Sequence, residues 1–209
     1  LPLIIVLATT FIISIVNYNR DYNFLANDQG TKIVEVLTNN TQNELNAILT
    51  QPLIMADIIG YTISNEKMFE NKDLSNIENY LKRLMTTLKQ KIPQISVISY
   101  GDENGDFVGI RDNGEDTAFS LMLKDSRTNG MLNICEGNTM NTKLISFFED
   151  YDPRIRPWYS PVRKNIASSW SSIYINQDEK MEATISVSVP VFGVKGEFKG
   201  VFEIDVKLN

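Results

Sequence analysis

Three segments near the C-terminal end of the chain alternate polar and apolar side chains, and this alternation limits the possible folds more than any other feature. The segments run from Ser168 to Asn176, from Glu182 to Phe192 and from Gly200 to Leu208. Successive side chains of a β-strand point to opposite faces, so each segment presents one polar and one apolar face. In antiparallel sheets the polar face commonly lies in water. We therefore expect an antiparallel sheet whose polar face carries Asp205, either in water or against the segment that precedes these strands.

Upstream patterns add helices and further strands. Ser75 to Glu78 forms a capping-box pattern before an apolar stripe of helical period that ends at Pro93. Beyond Pro93 the period changes to two, and Asn104-Gly105 predicts the turn of a hairpin. Weaker strand signals lie at Phe119 to Lys124, Met131 to Cys135 and Lys143 to Phe148. These patterns predict an α+β fold with a sheet of about five to six strands flanked by helices.

The N-terminal part of the chain is apolar and then helical in pattern. Leu1 to Val16 carries no charge, and because a bilayer span needs about 20 residues, we expect a transmembrane helix clipped at its N-terminal side. A signal peptide is the second interpretation and a buried core helix the third. From Asn17 to about Asn65 the pattern predicts one long stalk helix, which Pro52 should bend. We place the transmembrane helix at 1–17, the stalk and second helix at 18–92, and the sheet module at 93–209.

Composition argues against several classes of function. The chain has 209 residues and a formal net charge of −6, with no basic stripe, which argues against a nucleic-acid partner. It contains no histidine and a single cysteine, Cys135, so the usual catalytic bases and metal ligands are missing. Asp102, Asn104 and Asp106 begin like a calcium loop, but Phe107 stands where that loop needs glycine. We expect no catalytic residue, no metal and no cofactor.

The segment Tyr151 to Tyr159 concentrates the residues best suited to recognition. It holds two arginines, Arg154 and Arg156, between two prolines, and three aromatic residues that flank these prolines. A guanidinium group offers a bidentate fork to a carboxylate, and aromatic rings supply rigid walls with polar tips. The alternative is an exposed turn with ordinary surface arginines. The residues alone leave both interpretations open.

At these residues the chain resembles the Cache domain family. The resemblance rests on Tyr151 to Tyr159, on Trp170 to Tyr174, on Ser186 to Val191 and on Gly200 to Asp205. More narrowly, the chain is similar to the membrane-distal, PAS-like module of double Cache sensors, which lie outside the membrane in bacterial chemoreceptors, histidine kinases and cyclases. The resemblance implies a PAS-like antiparallel sheet after a membrane helix and stalk. A double Cache protein would need a second module after this sheet, and only one module fits in the chain.

Within that family, the chain is similar to an amino-acid-binding subset. The resemblance implies that Arg156 and Trp158 bind a ligand carboxylate and that Tyr159 and Asp205 bind its ammonium group. Tyr151 and Tyr174 would assist them, and Asn176 stands where the subset usually has a second aspartate. An amide cannot supply that negative charge, so the ligand is expected to be an amino acid, a modified amino acid or another carboxylate.

The leading hypothesis is therefore an extracytoplasmic sensor of a small molecule in the cell membrane. It would be anchored by the N-terminal helix, and its long helix could form a homodimer. A membrane-tethered protein-interaction module is the alternative, with Trp158 and Tyr159 as the anchor for a partner. A hydrolase is the third hypothesis and rests only on Asp and Glu side chains. The sequence does not identify the ligand or the output domain.

Overall fold

The computed structural model describes residues 2–70, 73–114, 119–137, 139–175 and 183–208. The chain divides into two compact units, Leu1–Leu49 and Thr50–Asn209. The described residues form three α-helices: α1 Pro2–Asn65, α2 Ser75–Lys91 and α3 Ser160–Asn165. Short 3-10 turns lie at Ser126–Thr128 and Pro153–Ile155.

Nine strands form one antiparallel sheet, so the predicted α+β class is confirmed. The strands are β1 Ile95–Asp102, β2 Phe107–Asp112, β3 Phe119–Lys124, β4 Leu132–Glu136, β5 Leu144–Phe148, β6 Ser169–Trp170, β7 Tyr174–Ile175, β8 Ala183–Phe192 and β9 Phe198–Lys207. Their order is β5-β4-β3-β2-β1-β9-β8-β6, and β7 pairs beside β6 with β8. The described sheet is larger than the five to six strands expected, because every weak signal is a strand and one expected strand is split in two.

The split occurs in the segment predicted to run as one strand from Ser168 to Asn176. Within this segment, β6 and β7 pair with β8, and the residues between them leave the ladder. At the break, the Ser171 amide still donates to the Ser186 carbonyl over 2.8 Å, while the Ser171 hydroxyl accepts from the Ser186 amide over 3.0 Å. Because a side-chain bond replaces one ladder bond here, the predicted common face of this segment is not a continuous strand face.

One face of the sheet packs on helices within the second unit. Ala56, Ile59 and Ile63 of α1 are buried, as are Ile77, Leu81, Met85 and Leu88 of α2. Gly60 brings α1 close to β8, since a Cβ at Gly60 would lie 2.6 Å from Val189 Cγ2. The stripe predicted for the second helix is thus confirmed, and α1 and α2 cover the apolar face of the sheet.

The opposite face, expected to lie in water if the sheet were one-sided, is buried. Trp158, Tyr159 and Val162 pack over it against Val97 and Phe107. This second layer covers the polar residues of the central strands. Ser99, Ser186, Ser188, Glu203 and Asp205 are each 3% exposed or less. The one-sided sheet is therefore the wrong alternative, and polar groups are enclosed in the interior.

The start of α2 was predicted correctly, but its capping was not. The helix begins at Ser75, and both the backbone amide and the hydroxyl of Ser75 donate to Asp73 Oδ1. The Glu78 side chain does not form the predicted hydrogen bond to the backbone at the start of the helix. It is buried and forms ion pairs with Lys82 and Arg127. The carboxylate that was expected to cap the helix instead ties α2 to the turn after β3.

Helix α1 runs through both the predicted span and the predicted stalk, with Pro52 inside it. Among the residues that the structure describes, one stretch is long and apolar enough to cross a membrane. It covers Glu35–Asn65, with a mean hydropathy of 1.3 over an 18-residue window that is 31% buried. Its buried residues include Ala56 and Ile59, so its C-terminal part is also a helix of the module core. The span expected at 1–17 stays a prediction, because the side chains of residues 1–12 lie outside the described part.

Candidate ligand-binding site

The turn at Pro153–Ile155 places the two arginines of the Tyr151–Tyr159 segment in different surroundings, because Arg154 lies within the turn and Arg156 follows it. Asp152 Oδ1 accepts from the Arg154 amide over 2.9 Å and begins the turn. The same carboxylate pairs with the Arg154 guanidinium over 2.8 Å, and the Arg154 side chain is 46% exposed. Proline at the first position of the turn supplies the required φ. Arg154 is thereby held at the surface, whereas Arg156 follows the turn and lines a partly open cavity.

This cavity lies between the sheet and the second layer and has a volume of about 140 Å³. It combines an apolar wall with charged and hydroxyl groups. The apolar residues that line it are Val97, Phe107, Met122, Leu132, Ile134, Phe148 and Trp158. Its polar lining residues are Arg111, Tyr151, Arg156, Tyr174, Glu203 and Asp205. Five of the predicted site residues are thus brought together: Tyr151, Arg156, Trp158, Tyr174 and Asp205.

Tyr151 and Arg156 form one wall of the cavity. The Tyr151 ring lies 5.1 Å from the Phe107 ring, centroid to centroid, and Arg156 Cζ lies 5.8 Å from the centroid of the Tyr151 ring. Burial and the nearby Glu203 carboxyl group raise the pKa of Tyr151 well above its usual value, which Arg156 only partly offsets. Tyr151 therefore stays a neutral hydroxyl donor beside a guanidinium group.

A hydrogen-bonded chain joins Tyr174, Ser186 and Asp205. The Tyr174 hydroxyl lies 2.7 Å from Ser186 Oγ and donates to Asp205 Oδ1 over 3.1 Å. Ser186 Oγ also donates to Asp205 Oδ1, over 2.5 Å. Strand pairing explains the contact, because Ser186 and Asp205 are directly opposed in the β8–β9 ladder. Burial and then Asp205 raise the pKa of Tyr174 above its usual range, so this hydroxyl also stays protonated.

Glu203 is a site residue that the sequence reasoning did not select. It is 3% exposed, and its Oε1 accepts from Ser99 Oγ over 2.6 Å. Its Oε2 atom is buried without a hydrogen-bond partner among the described residues. Burial, followed by the negative charge of Asp205, raises the pKa of Glu203 well above its usual value. Its position two residues before Asp205 on the same strand face could have identified it.

Arg111 is a second cavity residue that was missed. It lies on β2 opposite Val97 of β1, and the period of two places Phe107 and Arg111 on one strand face. The sequence signal was present in the predicted hairpin. It was not used, because a single arginine in a hairpin does not distinguish an exposed face from an enclosed one.

Two predicted site residues are not placed on the cavity. Tyr159 is 1% exposed and its hydroxyl donates to the Asp102 carbonyl over 3.0 Å, while its ring packs edge-on against Trp158 and Phe198. Asn176 lies outside the described residues. Trp158 is itself only 4% exposed. The protein-binding anchor of the alternative hypothesis therefore lacks the exposed Trp158 and Tyr159 rings that it requires.

A wider cleft of about 690 Å³ lies beside the β1–β2 and β8–β9 turns. Several charged groups that line this cleft already have partners. Lys199 lies within ion-pair distance of Glu103 and Glu197. Asp102 Oδ1 accepts hydrogen bonds from the backbone amides of Asn104 and Asp106. Asp102 thus shapes the hairpin turn. In the described part of the chain, no three acidic, cysteine or histidine side chains are grouped to hold a metal ion.

Solved structures of sensory domains resemble this architecture. The extracellular domain of a protein described as a histidine kinase, vpHK1S-Z8, matches with a TM-score of 0.57 and 14% identity, covering 87% of this chain and 60% of that one. The ligand-binding domain of the Pseudomonas aeruginosa amino acid chemoreceptor PctC, in complex with GABA, matches with a TM-score of 0.54 and 17% identity. The match covers 85% of this chain and 61% of the PctC chain. The ligand-binding domain of the Campylobacter jejuni chemoreceptor Tlp3, in complex with L-valine, matches with a TM-score of 0.53 and 14% identity. The match covers 85% of this chain and 62% of the Tlp3 chain.

The chain has the fold of these sensory domains. It spans about 60% of the length of the three structures. No protein-family model and no curated protein matches the sequence. The sensory-domain fold therefore supplies the architecture, and the cavity residues themselves must supply the argument for a ligand.

Proposed function

We propose that this chain is the ligand-binding part of an extracytoplasmic sensor in a membrane signalling receptor, and that its ligand is an amino acid or a related carboxylate. The observation that carries the proposal is the enclosure of a polar sheet face. Arg156, Glu203 and Asp205 line one small cavity inside the module. Enclosing charged groups is costly unless they are paired or serve a ligand.

The anionic end of the ligand is assigned to Arg156. Arg154 already pairs with Asp152, whereas Arg156 forms no ion pair with a described residue and stands beside the Tyr151 ring at the cavity wall. A guanidinium group binds a carboxylate through two parallel hydrogen bonds. Trp158 closes the cavity and packs against Phe107, with ring centroids 6.2 Å apart. This wall suits a planar anionic group.

The apolar wall favours a ligand with a short aliphatic part. Met122, Leu132, Ile134 and Phe148 line the cavity from β3, β4 and β5. These side chains offer no hydrogen-bond partner to a polar substituent, and burying an unpaired polar group is unfavourable. The volume of about 140 Å³ also favours a small ligand. Small aliphatic amino acids satisfy both conditions.

Membrane attachment and self-association belong to the same proposal. The apolar N-terminal segment would anchor the module, and the sensor would belong to the Cache family. Exposed Ile54, Ile58 and Tyr61 recur at helical spacing on α1, which supports a homodimer through this helix. Ligand binding would then bias the helix pair and change the activity of an output domain.

A thermal-shift screen with Arg156→Ala tests the proposal. The purified chain is screened against the common L-amino acids, amines and short carboxylates, and we expect at least one amino acid or carboxylate to raise the Tm. Arg156→Ala should weaken binding at least about tenfold and remove most of the shift, because a charged hydrogen bond contributes about 1.5–3 kcal/mol.

Arg154→Ala is the matched control, since this exposed arginine lies two residues away and pairs with Asp152. Its ligand-induced shift should equal that of the wild-type chain. An Arg156→Ala variant that keeps the full shift would refute the carboxylate assignment. A wild-type chain that no member of the panel stabilises would refute the sensor proposal itself.

A further inference from the structure

Glu203 is a cavity residue whose chemistry the proposed carboxylate site does not use. The carboxyl group is 3% exposed and lines the cavity beside Tyr151, Tyr174 and Asp205. Its Oε1 accepts from the Ser99 hydroxyl over 2.6 Å, and the hydroxyls of Ser99 and Ser186 both lower its pKa. The other oxygen, Oε2, has no partner in the described residues. A buried acceptor without a donor is unfavourable in the ligand-free fold and favours a donor that arrives with a ligand.

Strand pairing places a second open acceptor beside Glu203. Ser188 is directly opposite Glu203 in the β8–β9 ladder, and its hydroxyl is also buried without a partner among the described residues. Asp205 follows two residues later on the same strand face, and its Oδ1 already accepts from Tyr174 and Ser186. Ser188 is not among the residues that line the cavity, so Glu203 Oε2 is the open acceptor that a ligand there could reach.

The nearby guanidinium group of Arg156 does not supply a hydrogen-bond donor to Glu203 Oε2. Arg156 lies close enough to lower the pKa of Glu203, yet no hydrogen bond joins this guanidinium to Oε2. Asp205 acts in the opposite direction and raises that pKa. A primary ammonium group carries three donors and one positive charge. It matches an open carboxylate oxygen beside a second carboxylate better than a neutral or anionic group does.

We propose that Glu203, with Asp205, receives the ammonium group of the ligand and selects amino acids over the corresponding carboxylates that lack the amino group. This inference rests on the proposed ligand-binding function and adds a residue to its site. In sequence terms, the Glu203 carboxylate supplies the negative charge that the amide of Asn176 cannot supply.

Proton release gives the proposal a signature that a purely structural glutamate lacks. The titratable and charged groups that line the cavity with Glu203 are Arg111, Tyr151, Arg156, Tyr174 and Asp205. Since burial raises the pKa of Glu203, this carboxyl in the ligand-free chain keeps its proton to a higher pH than an exposed glutamate does. An arriving ammonium favours the carboxylate, so ligand binding should release protons and become tighter as the pH rises.

Isothermal titration calorimetry in buffers of different ionisation enthalpy measures both affinity and proton release. The probes are the common L-amino acids, each paired with the carboxylate that lacks its amino group, as L-valine is with 3-methylbutanoate. We expect Glu203→Gln to bind the amino acid about tenfold to a hundredfold more weakly, to bind the paired carboxylate nearly unchanged, and to release no proton.

Glu136→Gln on β4 is the matched control, because Glu136 is exposed and lies outside the cavity. It should retain the wild-type affinity and proton release. If Glu203→Gln keeps both the amino-acid preference and the proton release, the Glu203 assignment is overturned while the sensor proposal stands. If no probe binds the wild-type chain, the sensor proposal fails first.

Discussion

The hydroxyl groups of Tyr159 and Tyr174 have different partners, and these partners give the two rings different roles. Tyr159 donates to a backbone carbonyl, that of Asp102, and its ring belongs to the core. Tyr174 donates to Asp205 at the cavity wall. One tyrosine therefore holds the second layer on the sheet, and the other holds the Asp205 carboxylate in place at the cavity wall.

Tyr159→Phe should lower the free energy of unfolding by about 1 kcal/mol, because it removes one buried hydrogen bond and keeps the ring. Ligand affinity should stay at the wild-type value. Urea denaturation and calorimetry measure the two quantities, and Tyr61→Phe, at an exposed ring, is the control that changes neither. A selective loss of amino-acid affinity in Tyr159→Phe would instead return Tyr159 to the ammonium site.

Part of the site was predictable residue by residue. Tyr151, Arg156, Trp158, Tyr174 and Asp205, to which the resemblance assigned ligand contacts, line one cavity, and their ligand contacts stay a prediction. Glu203 was not selected, because a polar strand face predicts a glutamate in water unless a second layer covers it. The burial of that face depends on packing between distant segments, which local alternation does not encode.

Helix α1 and strand β8 meet at Gly60, and this contact sets the distance between helix and sheet. A Cβ at Gly60 would lie 2.6 Å from Val189 Cγ2. Valine has few alternative rotamers, so it cannot easily move aside. Strand β8 also pairs with β9, which carries Glu203 and Asp205. The close approach therefore places α1 one strand away from the charged residues of the cavity.

Gly60→Ala should destabilise the chain by about 1–2 kcal/mol, although alanine is the better helix former by about 1 kcal/mol. The double variant Gly60→Ala/Val189→Ala should show less destabilisation than the two single changes added together, because the smaller residue makes room for the new methyl group. Chemical denaturation gives the four free energies of the cycle. Additive effects would show that the helix does not press on Val189.

At the scale of elements, two segments with equally clear alternation had different outcomes. The hairpin with its Asn104-Gly105 turn is present as predicted, because turn chemistry and alternation agree there. The segment from Ser168 to Asn176 alternates equally well, yet it breaks after Trp170. Ser171 explains the difference, since its hydroxyl takes over one β8 amide. Serine hydroxyls can compete for backbone donors, and a period of two does not reveal when they do.

At the scale of the molecule, the sheet of the second unit is covered on both faces. The cavity lies on one of these faces, between the sheet and the layer formed by the Tyr151–Tyr159 segment. The helical layer carries α2 and the C-terminal part of α1, and the other layer carries the Tyr151–Tyr159 segment. A ligand bound in the cavity would contact the sheet strands directly and α1 only through β8 and β9. This arrangement offers a physical route from ligand to helix, and the proposed signalling function requires such a route.

A crystal structure of the chain with an amino acid from the screen tests the central claim most directly. The account predicts the ligand carboxylate within about 3 Å of the Arg156 guanidinium and the ammonium group within about 3 Å of Glu203 or Asp205. The aliphatic part should contact Met122 and Leu132. A ligand found instead in the wider cleft beside Lys199, or with its carboxylate away from Arg156, would contradict the account.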